Sequence, residues 1–107
     1  MTKKEFFKYL DGNNLERLRI KITTDKNKVV DVVVQYETFL NENFIGVVRY
    51  DCAHGFFHRD VLSPKGTQIK KEVIAIDDLK VALQYAEQDL KDRWNFYKQR
   101  YLKKLQK

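Results

Sequence analysis

The sequence predicts an α+β domain, an antiparallel β-meander of four or five strands with a long C-terminal α-helix packed on one face. Three observations carry that prediction. Segments dense in β-branched and aromatic residues fill the stretch from about 15 to 75. The connections between them are too short for crossover helices, which leaves antiparallel pairing. From about residue 77 the apolar period changes from two to between three and four. A length of 107 residues is that of one domain, read here as 1–107 with strands at about 15–75 and the helix at about 77–105.

Taken in order, residues 1–10 hold Phe6, Phe7 and Leu10 and read as a short helix or an edge segment. In "LERLRIKI", Leu18, Ile20 and Ile22 alternate with Arg17, Arg19 and Lys21, the pattern of a half-buried strand. "VVDVVVQYETF" sets Val30, Val32, Val34 and Tyr36 on one face. "FIGVVRYD" and "GFFHRDVL" read as two more strands, and "TQIKKEVIAI" as a fifth. Turn signals separate them: "DGNN", "TDKNK", "NEN", "HG" and "SPKG". In the final segment Leu79, Leu83, Ala86, Leu90, Trp94, Tyr97, Tyr101 and Leu105 form one helical stripe, with Asp77 or Asp78 placed to cap it. A helix of about 28 residues is roughly 42 Å long, against a radius of gyration near 13 Å for a domain of this size. It is therefore expected to overhang the sheet, its exposed stripe covered by a second copy in a homodimer through the C-terminal helix, the preferred reading, or else by a partner protein or the N-terminal segment folded back.

Composition narrows the function classes. No apolar run approaches the roughly 20 residues that span a bilayer, so no membrane partner is expected. The N-terminal segment lacks the apolar core of a secretory signal, and a single cysteine cannot form an internal disulfide; both predict a cytoplasmic protein. The net charge of +6 is localised. Residues 91–107 hold seven Lys or Arg against one Asp, while residues 1–90 carry fourteen of each sign. A basic end on a neutral body fits an anionic partner, whether nucleic acid, an acidic protein surface or an anionic membrane, and equally a solvated helix face kept soluble by its lysines. Lys98, Arg100, Lys103 and Lys104, interleaved with aromatic residues, are the candidate nucleic-acid contacts. Trp94, Tyr97 and Tyr101 fall on the apolar stripe and belong to packing, whereas Phe96 lies off it.

The chemistry-bearing stretch is "RYDCAHGFFHRD", which holds both histidines and the one cysteine. Spacing H-x-x-x-H would suit a metalloprotease helix, but a glycine intervenes and the flanks are strands. In a strand–turn–strand, Arg49 and Asp51 share one parity, His58 and Asp60 share another, and His54 sits at the bend. Convergence there has three functional readings. His54 and His58 can act as acid and base in metal-independent RNA cleavage, with Asp51 beside them and Arg49 or Arg59 stabilising the phosphorane. His54, His58, Asp51 and Asp60 can instead hold a divalent metal. The same groups can bind phosphate without chemistry. The structural alternative pairs Asp51 and Asp60 with Arg49 and Arg59 across a hairpin. Cys52 fits a small half-buried residue better than a nucleophile.

"VRYDCAHGFFHRD" resembles the core of the TumE-like toxin family of prokaryotic toxin–antitoxin pairs, small proteins thought to act on RNA. Tyr50 and Asp51 match the Tyr-Asp pair that ends a strand there, Gly55 the turn, and His58 with Arg59 the step that opens the next strand. Cys52 stands where that family has Asn, Gly-Phe-Phe replaces its Gly-Lys-Gly type of turn, and Asp60 stands where it tends to have His. The resemblance implies a toxin-type endoribonuclease with no cofactor and an antitoxin protein as partner. The competing expectation is a non-enzymatic dimeric interaction module that binds nucleic acid or a protein.

Overall fold

The computed structural model describes residues 1–52 and 55–106. Six antiparallel strands follow one another across a single sheet in chain order: β1 (Thr2–Tyr9), β2 (Glu16–Asp25), β3 (Lys28–Leu40), β4 (Asn43–Asp51), β5 (His58–Leu62) and β6 (Gln68–Val73). One helix, α1 (Leu79–Leu105), packs on the sheet. The α+β meander is thus the predicted one, with six strands instead of four or five. The added strand is β1, so strand structure starts at Thr2 and not near residue 15. Its period of two is masked in the sequence because it is an edge strand with little buried surface. Phe6 packs toward the core, while the exposed ring of Phe7 lies under the Arg17 guanidinium at 4.2 Å.

Two hairpins close through two-residue loops with both residues at positive φ, Lys26–Asn27 between β2 and β3 and Asn41–Glu42 between β3 and β4. Such left-handed pairs match the right-handed twist of the strands they join, and Asn tolerates the conformation best. Two of the sheet's three register shifts among the described residues adjust the faces of β2 to β4. A register shift pairs Thr23 with Asp31 but Thr24 with Val29, which leaves Val30 as the extra residue. Val30 is consequently exposed and Val29 packs against the core, correcting the expected alignment of Val30 with Val32 and Val34. A second shift pairs Tyr36 with Val48 and Glu37 with Gly46, with Val47 as the extra residue.

The core lies between the sheet and α1. Leu18, Ile20, Val32, Val34, Tyr36, Val48 and Tyr50 meet Ala82, Ala86, Leu90, Tyr97 and Tyr101. The alanines let the helix backbone approach the sheet, and Asp78 caps the helix by accepting from the Lys80 and Val81 amides. The expected overhang is absent at the aromatic part of the stripe, because Tyr97 is 1% and Tyr101 4% exposed within one chain. The domain is elongated, 46 × 28 × 22 Å, and the 13 residues of β3 extend about 43 Å. Sheet and helix therefore match in length, which a spherical estimate of size misses. Only Leu105, 47% exposed, is left as the expected uncovered end. Tyr97 and Tyr101 in the core and Trp94 packed against it need no second copy to cover them, contrary to expectation.

Candidate functional site

Strand alternation sorts the ionisable residues of β4 and β5 between the two faces. Tyr50 and Arg59 point to the helix, so Arg49, Asp51, His58 and Asp60 point to the other, open face. The register sets Asp51 opposite His58 and Arg49 opposite Asp60, giving a two-by-two array. His58 Nε2 lies 2.8 Å from Asp51 Oδ1 and 3.3 Å from Asp60 Oδ2. Arg49 reaches Asp51 Oδ2 with Nε at 3.2 Å and Asp60 Oδ2 with Nη2 at 3.7 Å. The other ring nitrogen of His58 is 3.3 Å from the Phe56 carbonyl oxygen, and the Phe56 ring covers the imidazole at 5.5 Å. His58 is 2% and Asp60 3% exposed, deep for ionisable groups on an uncovered sheet face. A hollow of about 310 Å³ adjoins the array, lined by Glu5, Arg19, Lys21 and Gln35 together with Arg49 and Asp51.

The structure thus brings together four of the predicted residues, Arg49, Asp51, His58 and Asp60. Arg59 does not join them. An adjacent strand residue must face the opposite way, and Arg59 Nη1 donates to Tyr97 Oη at 2.8 Å on the helix side, with Nη2 paired to Glu72. Its assignment to one site with Asp51 and His58 is corrected. The predicted bend residue His54 lies outside the described residues. Cys52 donates its thiol to Asp31 Oδ1 at 2.9 Å, and burial with that hydrogen bond pushes the thiol up to about 11. A thiol so held is a poor nucleophile at neutral pH.

On the helix face, polar groups tie α1 to the sheet. Tyr50 Oη and Tyr97 Oη both donate to Asp89 Oδ2, at 2.7 and 2.6 Å, and Arg93 lies 3.5 Å from Asp89 Oδ1. Burial, reinforced by Asp89, raises both phenols, Tyr97 to about 12. Further along, Tyr36 Oη donates to Glu16 Oε1 at 2.6 Å, and Lys98 Nζ meets Glu16 Oε2 at 2.6 Å. Burial and Glu16 raise the Tyr36 phenol as well. Of the four predicted nucleic-acid contacts, Lys98 is therefore held in an ion pair inside the domain. Arg100 lies along the helix, 5.2 Å from the ring centre of Phe96, and Lys103 and Lys104 occupy the last turn.

Sequence reasoning missed Arg93, whose guanidinium sits 5.0 Å from the same Phe96 ring. The signal was the spacing: residues 93, 96, 100 and 103 are three or four apart, so they form one ridge. It also missed Glu37, a buried acid on the open face bound by Arg17 (2.8 Å), Arg19 (3.2 Å) and the Gln35 amide (2.7 Å). Alternation along β2 and β3 places these groups on one face, but a polar strand face is normally solvated, and nothing in the pattern marks it as buried.

No helix among the described residues is long and apolar enough to cross a membrane. The whole chain, residues 1–107, matches the family described as Domain of unknown function (DUF7718), and the protein belongs to that family. No curated protein and no solved structure matches it.

Proposed function

From a family that carries no assigned activity, we propose that this protein acts on RNA and binds single strands along the solvent-facing ridge of α1. One observation carries the reading: Phe96, 51% exposed, is bracketed by the guanidinium groups of Arg93 and Arg100 at 5.0 and 5.2 Å. An exposed ring offers a base a stacking surface, and flanking arginines supply phosphate contacts and cation–π support. Lys103 continues the ridge into the basic last turn. The test is fluorescence anisotropy with a labelled oligouridylate. Phe96→Ala is expected to weaken binding by roughly 1–3 kcal/mol, the cost of one lost base stack, and Arg100→Glu to flatten its salt dependence. Unchanged affinity in Phe96→Ala would sink the reading.

A second reading, phosphodiester cleavage of toxin type, is favoured by the convergence of Arg49, Asp51, His58 and Asp60 beside a hollow on the open face. Imidazole and carboxylate suit proton transfer, and Arg49 suits the charge of a phosphorane. The ridge and this array lie on opposite sides of the sheet, so a strand bound on the ridge must pass a sheet edge to reach it. Cleavage of RNA by the wild type that disappears in His58→Gln, at unchanged unfolding midpoint, would support it. RNA binding without cleavage would leave the ridge as a non-enzymatic module.

A further inference from the structure

We propose that Asp51, His58 and Asp60 form a binding site for one divalent transition-metal ion of the zinc or manganese type. The three side chains each offer one ligand atom, and these atoms all lie within 4.8 Å of one another. The measured edges fit a shared ion. Ligands about 2.1 Å from a common ion stand about 3.0 Å apart at the right angles of an octahedral manganese site and about 3.4 Å apart on tetrahedral zinc, and His58 Nε2 is 2.8 and 3.3 Å from its two carboxylate neighbours. One imidazole with two carboxylates is a donor set for zinc, manganese or iron, not for soft-metal chemistry.

Proximity alone describes many ion pairs, and a second observation points to a cation. The domain buries three carboxylates among the described residues, Glu16, Glu37 and Asp60. Both oxygens of Glu16 are engaged, by Tyr36 and Lys98, and both oxygens of Glu37, by Arg17 on one side and Arg19 with Gln35 on the other. Asp60 differs. Its Oδ2 faces His58 and Arg49, while Oδ1 is buried without a hydrogen-bond partner. A desolvated carboxylate oxygen with nothing to accept from is costly, and an ion that Asp60 grips through both oxygens, shared with His58 and Asp51, compensates it. Arg49 then acts as an outer partner that orients both carboxylates. The hollow lined by Arg49 and Asp51 gives the ion a route from solvent.

This site takes three residues of the cleavage reading but none of the helix ridge, and its test uses no RNA, so it stands or fails apart from both readings. Calorimetric titration of the full chain with zinc chloride, and separately with manganese chloride, is expected to give one site per chain for at least one ion. Asp60→Asn, which keeps the shape and removes the charge, weakens that binding at least about tenfold, since even outer-shell losses cost that much. With manganese, pulsed electron paramagnetic resonance is expected to show one imidazole nitrogen on the ion, lost in His58→Gln. The proposal is overturned if the wild type binds neither ion, or if Asp60→Asn binds as the wild type does. Should His58→Gln fail to fold, the Asp60→Asn titration decides alone, with its circular dichroism as the check on folding.

Discussion

Glu16 on the helix face and Asp60 on the open face are buried carboxylates of the same sheet, yet their oxygens are used differently. Glu16 joins β2 to α1, with a phenol on one oxygen and an ammonium on the other. Asp60 sits in an array built within a single hairpin and keeps one oxygen without a partner. The first arrangement is what architecture needs, because every group is satisfied and the contact spans 82 residues of sequence. The second fastens nothing distant. Hydrogen-bond accounting, not burial, is what separates the two carboxylates.

That contrast can be broken by experiment. The largest effect is expected at alkaline pH. Tyr36, Tyr50 and Tyr97 all have raised phenols, Tyr97 to about 12. A raised folded-state value means that the native state retains protons which the unfolded chain releases. Their contribution to stability is full below about pH 10, the ordinary tyrosine value, and is lost as pH rises through about 12 for Tyr97. Absorbance at the tyrosinate band should therefore lag behind free tyrosine and then rise together with loss of circular dichroism. Independent ionisation of all six tyrosines with the fold intact would contradict the helix-face network. Next in size is Glu16→Ala, which strands the Tyr36 hydroxyl and Lys98. It should cost about 3 kcal/mol in urea unfolding, as removing one partner of a buried pair does. Smallest is Asp60→Asn in metal-free buffer, expected to cost about 1 kcal/mol, less than Glu16→Ala, because Arg49 and His58 both keep Asp51 as a partner when the Asp60 charge is removed. A loss matching that of Glu16→Ala would make the array an ordinary structural ion cluster.

Much of this was legible in the sequence. Alternation placed Leu18, Ile20, Val32, Val34 and Tyr36 in the core, and helical spacing placed Ala86, Leu90, Tyr97 and Tyr101 against them. The parity of Arg49 with Asp51 and of His58 with Asp60 likewise anticipated the open-face array. What escaped was what period alone does not encode. The extra residue at Val30 shifts one strand against its neighbour, and β1 as an edge strand buries too little to show alternation. Arg59 was grouped by closeness in sequence with residues from which strand geometry divides it. In the sequence Lys98 reads as a surface cation because its partner Glu16 is far away in the chain. Ionic pairing across long separations leaves no local signature.

The strict agreement of sheet order with chain order has a consequence for how the molecule is made. Each strand, as it leaves the ribosome, finds its partner in the segment just before it, so the meander can assemble hairpin by hairpin with little loop-closure cost. The helix follows all six strands. Until it docks, the apolar face of Leu18, Ile20, Val32, Val34 and Val48 has no cover. The interval between completing the sheet and completing the helix is thus the chain's period of greatest exposure to aggregation. The Lys98–Glu16 contact is among those that end it.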